Sequence, residues 1–257
     1  MNQDSFSSDA SVSVVIPVYN GEKFLGEAIA SLLRQTIRPH EIILVDDGST
    51  DRTPQVAAAF GQQVCYYRQE RQGPPAARNF GLAKATGKWI SMLDSDDVWP
   101  DNSLELQLTP VKVDPSIQVV VGHALLWRGP NPEPATLPFE LPTDPRLILN
   151  LGSALILKSL FEQLGPLNAH LFYCDDWDWF MRVRELGIRM HIHRGLVLYY
   201  RRHDGNLTNN RKLDNHFVVQ MLKQSLDRRR AAGGGLARSL PRLQDETRSE
   251  VPEEPKP

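Results

Sequence analysis

Short apolar runs alternate with amphipathic helical patterns over residues 11–100, and that alternation limits the fold more than any other feature of the chain. Val12–Val18 is an almost unbroken apolar run closed by Asn20-Gly21, as expected of a strand covered on both faces. Phe24, Leu25, Ala28, Ile29, Leu32 and Leu33 then recur at helical spacing, which predicts a helix over 22–35. A second buried strand is expected at 42–45. Pro54 suits the first turn of a helix, with Thr53 as its cap and an end near Phe60. A weaker strand at 64–67, a helix at 76–85 stopped near Gly87 and a strand at 89–93 complete the pattern. Strands that alternate with helices pair in parallel. The expected fold class is therefore α/β, an open, mostly parallel, Rossmann-like sheet flanked by helices.

The second half is less regular. Helices are expected at 104–113, 159–164, 176–186 and 214–229, and strands at Val119–Trp127, 189–193 and 196–201. Prolines crowd 129–145, and proline cannot donate to a strand ladder, so an irregular surface loop is expected there. Residues 1–10 read as a flexible N-terminus. The Gly-, Arg-, Glu- and Pro-rich stretch 231–257 reads as a disordered tail behind a C-terminal helix at 211–230. One domain then covers 11–210, with 11–100 as its first half and 101–210 as its second.

Composition removes several functional classes. Hydrophobic residues are 41% and charged residues 23%, which excludes a collagenous or wholly disordered chain. The net charge of −2 gives no global footprint for nucleic acid. The two cysteines, Cys65 and Cys174, are too few for a disulfide framework or a Cys-x-x-Cys metal site. No apolar run reaches the ~18 residues of a membrane span, and the start lacks the basic and apolar regions of a secretory signal. A cytoplasmic location is expected. The basic run Arg228-Arg229-Arg230 offers a contact for anionic lipid at the inner membrane face, set against a simple solvated helix end.

The acidic residues fall at strand ends. Asp46-Asp47-Gly48-Ser49-Thr50-Asp51 follows the second strand directly, and Asp94-Ser95-Asp96-Asp97 follows the fourth. In an open parallel sheet, ligands bind beyond the carboxyl ends of the strands, so both loops should meet at one edge. Gathered carboxylates repel unless something positive sits among them. A hard divalent cation with oxygen ligands is the simplest candidate. Each run alone is also ordinary turn and cap chemistry. An EF-hand fails for want of the closing glutamate, and no Rossmann or P-loop glycine signature follows the first strand.

In order along the chain stand Ile16-Pro17-Val18-Tyr19-Asn20, Val45-Asp46-Asp47-Gly48-Ser49-Thr50-Asp51, Ala77-Arg78-Asn79-Phe80-Gly81 and Leu93-Asp94-Ser95-Asp96-Asp97. Asp175-Asp176-Trp177-Asp178-Trp179 and Tyr200-Arg201-Arg202-His203 follow. This ordered set resembles glycosyltransferase family 2, the inverting, sugar-nucleotide-dependent enzymes of GT-A-type fold. The resemblance covers roughly residues 11–210. It departs at Asp175, where glutamate is commoner, and after His203, where Asp204-Gly205-Asn206 replaces a serine-containing pattern.

The resemblance implies transfer of a sugar from a nucleoside diphosphate, with UDP favoured, to a hydroxyl on a glycan, a lipid-linked molecule or another acceptor. It implies Mn²⁺ or Mg²⁺ as cofactor, with Asp96 as direct ligand and His203 completing the metal or diphosphate site. Asp176 stands where the family carries its general base, with Asp175 and Trp177 beside it toward the acceptor. Pro17, Tyr19, Glu22, Asp46, Asp47, Arg78, Asp94 and Ser95 fall at nucleotide-binding positions. Among these, Tyr19 offers a face for base stacking, Asp46 an acceptor for a ring N–H, and Asp94 a ribose contact. Simpler readings stand beside them: a strand-end tyrosine for Tyr19, a solvated helix face for Arg78, a helix cap for Asp97, and helix N-terminal acids for Asp175, Asp176 and Asp178. Trp177 and Trp179 are two positions apart and cannot share one helical face, so at least one should be core. Two rival functions remain: a degenerate sugar-nucleotide-binding or scaffold protein on the same fold, and a nucleotidyltransferase. The second would carry a glycine-rich basic loop after the first strand, where this chain has Pro17-Val18-Tyr19-Asn20.

Overall fold

A computed structural model describes residues 11–127, 145–206 and 211–231, and the side chains of 211–215 are not described. The proline-crowded loop, apart from Pro145, the N-terminal ten residues and the tail beyond Ala231 lie outside the described residues.

An eight-stranded sheet forms the centre. In chain order its strands are β1 (Val12–Val18), β2 (Glu41–Asp46), β3 (Cys65–Arg68), β4 (Trp89–Met92), β5 (Val119–Trp127), β6 (Arg146–Leu147), β7 (Ala154–Leu157) and β8 (Met190–Arg201). The helices are α1 (Leu25–Leu33), α2 (Thr53–Ala58), α3 (Pro74–Lys84), α4 (Ser103–Val113), α5 (Lys158–Leu164), α6 (Asp175–Glu185) and α7 (Arg211–Ala231). The spatial order is β3-β2-β1-β4-β7-β5-β6, with β8 on β5. β1 pairs in parallel with β2 and β4, and β2 with β3. β7 runs antiparallel to both β4 and β5, so β5 regains the direction of β4, and β8 lies parallel to β5. The carboxyl ends of β1, β2, β4, β5 and β8 therefore all face one edge of the sheet.

The expected fold class stands, with local corrections. β6 and β7 were not expected, and they make the sheet mixed. The two strands expected at 189–193 and 196–201 are one strand, with register slips against β5 at Val121/His123 and His123/Ala124. α1 begins at Leu25, because residues just before it are held by the neighbouring loop. Thr53 is the first residue of α2, not its cap; Arg52 takes that place, and α2 ends at Ala58.

Alternation along each strand divides the core into two layers. Val14 and Ile16 of β1 and Ile42 and Leu44 of β2 pack with Leu25, Ala28, Ile29 and Leu32 of α1 and Leu104 and Leu108 of α4. Val15, Ile43 and Val45 face the other way, against Ala77 of α3, Phe161 of α5, and Trp179, Phe180 and Val183 of α6. Each large apolar side chain fully buried here contributes ~1.5–3 kcal/mol. A third, smaller cluster seats α7: Met221 with Leu171 and Cys174, and Phe217 beside Tyr173. Arg228 of α7 spans Asp178 (2.9 Å) and Glu185 (2.8 Å) of α6. One member of the basic run is thus engaged inside the molecule. Among the described residues, no helix is long and apolar enough to cross a membrane.

Candidate active site

The loops that leave β1 and β2 are stitched to each other. Asn20, in a left-handed backbone conformation (φ 52°), accepts the Thr50 N–H on Oδ1 and donates its own N–H to Ser49 Oγ. Glu22 is tied to the facing loop twice: its N–H reaches Asp51 Oδ2, and its Oε2 accepts from the Arg52 N–H. Glu22 is therefore a loop fastener. Pro17 lies buried in β1 opposite Val45.

Asp46 and Asp47 end β2, and both carboxylates are satisfied by protein. Asp46 is fully buried; it accepts from Ser49 N (2.7 Å), the Tyr66 hydroxyl (2.6 Å) and Arg68 Nη1 (3.0 Å). Tyr66 and Arg68 therefore compete with any further donor for Asp46 Oδ2. Asp47 accepts from Gln69 Nε2 and the N–H groups of Gln72 and Gly73, at 2.7–2.8 Å, and so shapes the loop after β3. That loop returns Arg71 to Tyr19, with the guanidinium carbon 3.8 Å from the ring centroid. One face of the exposed Tyr19 ring is covered in this way. These partners of Asp46 and Asp47 were not picked out in the sequence. The parallel register that sets Arg68 opposite Asp46 was the signal that could have found them.

The loop after β4 carries the next group of acids. Ser95 Oγ lies near Gly21, 3.5 Å from where a Cβ would stand. Asp94 Oδ1 accepts from Arg78 Nη2 at 2.6 Å. Arg78 is not on a solvated face: its Nη1 donates to Asp175 Oδ2 at 2.7 Å, and its side chain is mostly buried. Burial opposes the guanidinium charge, but Asp175, Asp94 and Asp176 outweigh it and raise the Arg78 pKa.

Asp96 Oδ2 lies 2.9 Å from His203 Nε2 and 3.2 Å from Asn206 Nδ2. Asp97 caps no helix; its Oδ1 accepts the Arg201 N–H at 2.8 Å, while Oδ2 is buried with no hydrogen-bond partner. Burial, then Asp96 and Asp94, push the Asp97 pKa well up. Arg201 at the end of β8 is buried between the rings of Phe24 and Trp127. Its Nε donates to the Asp96 carbonyl and its Nη2 to Glu27. Arg201 thereby fixes the backbone that presents Asp96 and starts the segment that presents His203. The arginine was visible beside His203 in the sequence, but nothing there marked it as buried.

His203 Nδ1 accepts the Gly205 N–H at 3.1 Å, which leaves Nε2 facing Asp96. The donor set suits Mn²⁺ or Mg²⁺: a carboxylate oxygen, with an imidazole nitrogen beside it. Among the described residues there is no cluster of three or more such ligands. Diphosphate oxygens and water would complete the shell, as hard cations at phosphates commonly arrange. A cation held through Nε2 would leave the ring proton to Nδ1 and give up the Gly205 bond, at ~0.5–1.5 kcal/mol. The residues fit the cation.

Asp175, Asp176 and Asp178 occupy the first turn of α6, where the helix dipole favours negative charge. Asp178 faces inward to Arg182 and Arg228. Asp176, part-exposed, accepts the Trp177 N–H at 2.7 Å. Burial and the adjacent Asp175 push Asp176 up to about 8. Burial also raises Asp175 despite its bond to Arg78. Trp179 is the core tryptophan, stacked on Phe161, and Trp177 stands half exposed next to Asp176.

Residues 13–133 match the profile of "Glycosyl transferase family 2". An uncharacterised glycosyltransferase of Rickettsia typhi is 32% identical over 222 residues, covering 81% of this chain and 69% of that protein. One of Rickettsia prowazekii is 34% identical over 186 residues, covering 67% of this chain and 58% of the other. Among solved structures, S. aureus TarS 1-349 in complex with UDP-GlcNAc superposes with a TM-score of 0.64 at 21% identity, over 78% of this chain and 61% of that one. The mannosyltransferase PcManGT from Pyrobaculum calidifontis, in complex with GDP-Man and Mn²⁺, gives 0.64 at 20% identity, over 88% of this chain and 65% of its own. With a relative 32% identical over most of both chains, and the family profile matched at 13–133, the chain belongs to glycosyltransferase family 2.

Proposed function

We propose that this protein transfers a sugar from a nucleoside-diphosphate donor to an acceptor hydroxyl in a single displacement with inversion. The observation that carries the reading is the arrangement around Arg78 and Asp96: the acids after β4 and those opening α6 meet at the sheet edge where β1 and β2 also end. Relatives bound to UDP-GlcNAc and GDP-Man support a sugar nucleotide as donor; the uracil base remains the favoured expectation.

The donor diphosphate lies against Asp96 and His203 in this reading, and Asp94 contacts the ribose. A divalent cation held there would act as Lewis acid and offset the charge that grows on the leaving diphosphate. His203, with a proton on Nε2, can also donate to a diphosphate oxygen. The base stacks at Tyr19, with Arg71 moving from its ring or joining the stack. Asp176 takes the proton of the attacking hydroxyl. Its raised pKa makes it a better base once ionised, because it holds the proton more firmly. A single base on the acceptor side gives inversion. Trp177 presents an apolar ring beside Asp176 on which an acceptor sugar can rest.

A test uses release of nucleoside diphosphate from a panel of UDP-, GDP- and dTDP-sugars, with water or short glycans as acceptors. One donor class should turn over with inversion at the anomeric carbon, read by proton NMR. Asp176→Asn should keep donor binding and lose turnover by ~10²–10⁴-fold. Unchanged turnover in that variant removes Asp176 as the base. Release of pyrophosphate from a nucleoside triphosphate and a sugar 1-phosphate, with no sugar nucleotide turned over, identifies a nucleotidyltransferase.

A further inference from the structure

Helix α3 and its N-terminal cap touch the segment leading into α6 at three separate points. Gly73, before the first turn, adopts φ 96°, and a Cβ there would stand 2.3 Å from Phe172 Cε2. Asn79 grips the backbone of Leu167 on both sides, donating to its carbonyl (2.8 Å) and accepting its N–H (2.9 Å). Between them, the two ends of the Arg78 guanidinium reach Asp94 and Asp175, on different halves of the molecule. A buried cation is costly unless paired, and this one is paired through Nη1 and Nη2 by two carboxylates that have no sequence proximity. We propose that Arg78 is a positioning residue that locks the first turn of α6 to the loop after β4 by its charge, offsetting the repulsion among Asp94, Asp175 and Asp176 while Asn79 and Phe172 hold the backbone beside it. This rests on Asp176 being the base, yet the coupling can be measured without turnover.

The charged groups facing Asp176 are Asp175 on its own helix, Arg78 from α3 and Asp94 from the loop after β4. Of these, only Arg78 favours the carboxylate form. Its planar fork also reaches two partners at once, which a lysine ammonium does not do with the same geometry. Loss of the arginine therefore leaves Asp94, Asp175 and Asp176 to repel one another. Mere loosening of the structure has the opposite signature: water would enter and return Asp176 toward the ordinary carboxylate range.

The decisive experiment is carbon-13 NMR titration of the full chain labelled at the aspartate carboxyls, with the Asp176 signal assigned through Asp176→Asn. In Arg78→Gln the Asp176 midpoint should rise by a pH unit or more, a tenfold change in proton affinity, and in Arg78→Lys by less in the same direction. An unmoved or lowered midpoint in folded Arg78→Gln overturns the proposal. Should that variant not fold, Arg78→Lys against the parent decides it: a rise supports the lock, and coincidence or a fall overturns it. The base assignment fails by a different result, retained turnover in Asp176→Asn.

Discussion

Asp176 sits under two demands that oppose each other. Proton abstraction needs an accessible carboxylate, whereas partial burial next to Asp175 pushes it up to about 8. A carboxyl group whose folded pKa is raised binds more protons in the folded than in the unfolded state. Its ionisation therefore costs stability, with no penalty below the unfolded pKa near ~4 and the full penalty above about 8. Asp176→Asn should accordingly raise Tm at pH 9, leave it unchanged at pH 4, and cut turnover at pH 9 by ~10²–10⁴-fold. Thermal melts across that range check the first statement. In the unmutated protein kcat/KM should climb with pH through an acid limb near the Asp176 value and flatten above it; a flat profile from pH 6 to 9 contradicts the assignment. The sequence displayed the acids themselves, because aspartates after buried strands and at a helix start are conspicuous. It hid their partners. Tyr66 and Arg68 meet Asp46 only through the parallel register of β2 and β3, and Arg78 meets Asp175 only through the packing of α3 against the second half.

Elements place these residues by close packing. α3 lies tight on β1 at Gly81, where a Cβ would come 2.3 Å from Val15 Cγ1. At Gly73 the backbone conformation itself is one that L side chains avoid, and Phe172 fills the space. Gly73→Ala should cost ~2–4 kcal/mol from backbone strain and overpacking together, read from urea unfolding. It should also impair catalysis more than donor binding, since Phe172 lies on the approach to α6. α7 secures the far side of α6. Arg228→Ala removes the ion pairs to Asp178 and Glu185 and should lower stability by ~1–3 kcal/mol, with faster hydrogen exchange in α7. Periodicity revealed the strands buried on both faces and the helices with an apolar stripe. It failed at β7, where the apolar run 154–157 has no period to separate strand from helix, and at β8, where Gly195 splits the pattern of a continuous strand.

The whole molecule works as a device for bringing distant loops to one edge. β7, running against its neighbours, restores the direction of β5 and β8, so the end of β8 arrives beside the loop after β4. Val98 and Tyr199 then bond to each other, and Arg201 reaches the Asp96 backbone. Only this topology makes His203, more than a hundred residues downstream, a neighbour of Asp96. The late Tyr-Arg-Arg-His segment pointed to the site through resemblance, while the strand order explains how it gets there. The most direct measurement is thermal stabilisation by UDP, GDP and dTDP, each with and without Mn²⁺, on the parent chain and on Asp96→Asn. One nucleoside diphosphate should raise Tm strongly with Mn²⁺ and weakly after its removal by chelator, and Asp96→Asn should erase the difference. Equal stabilisation with and without the metal, or an unaltered metal response in Asp96→Asn, contradicts a cation-bound diphosphate at this edge.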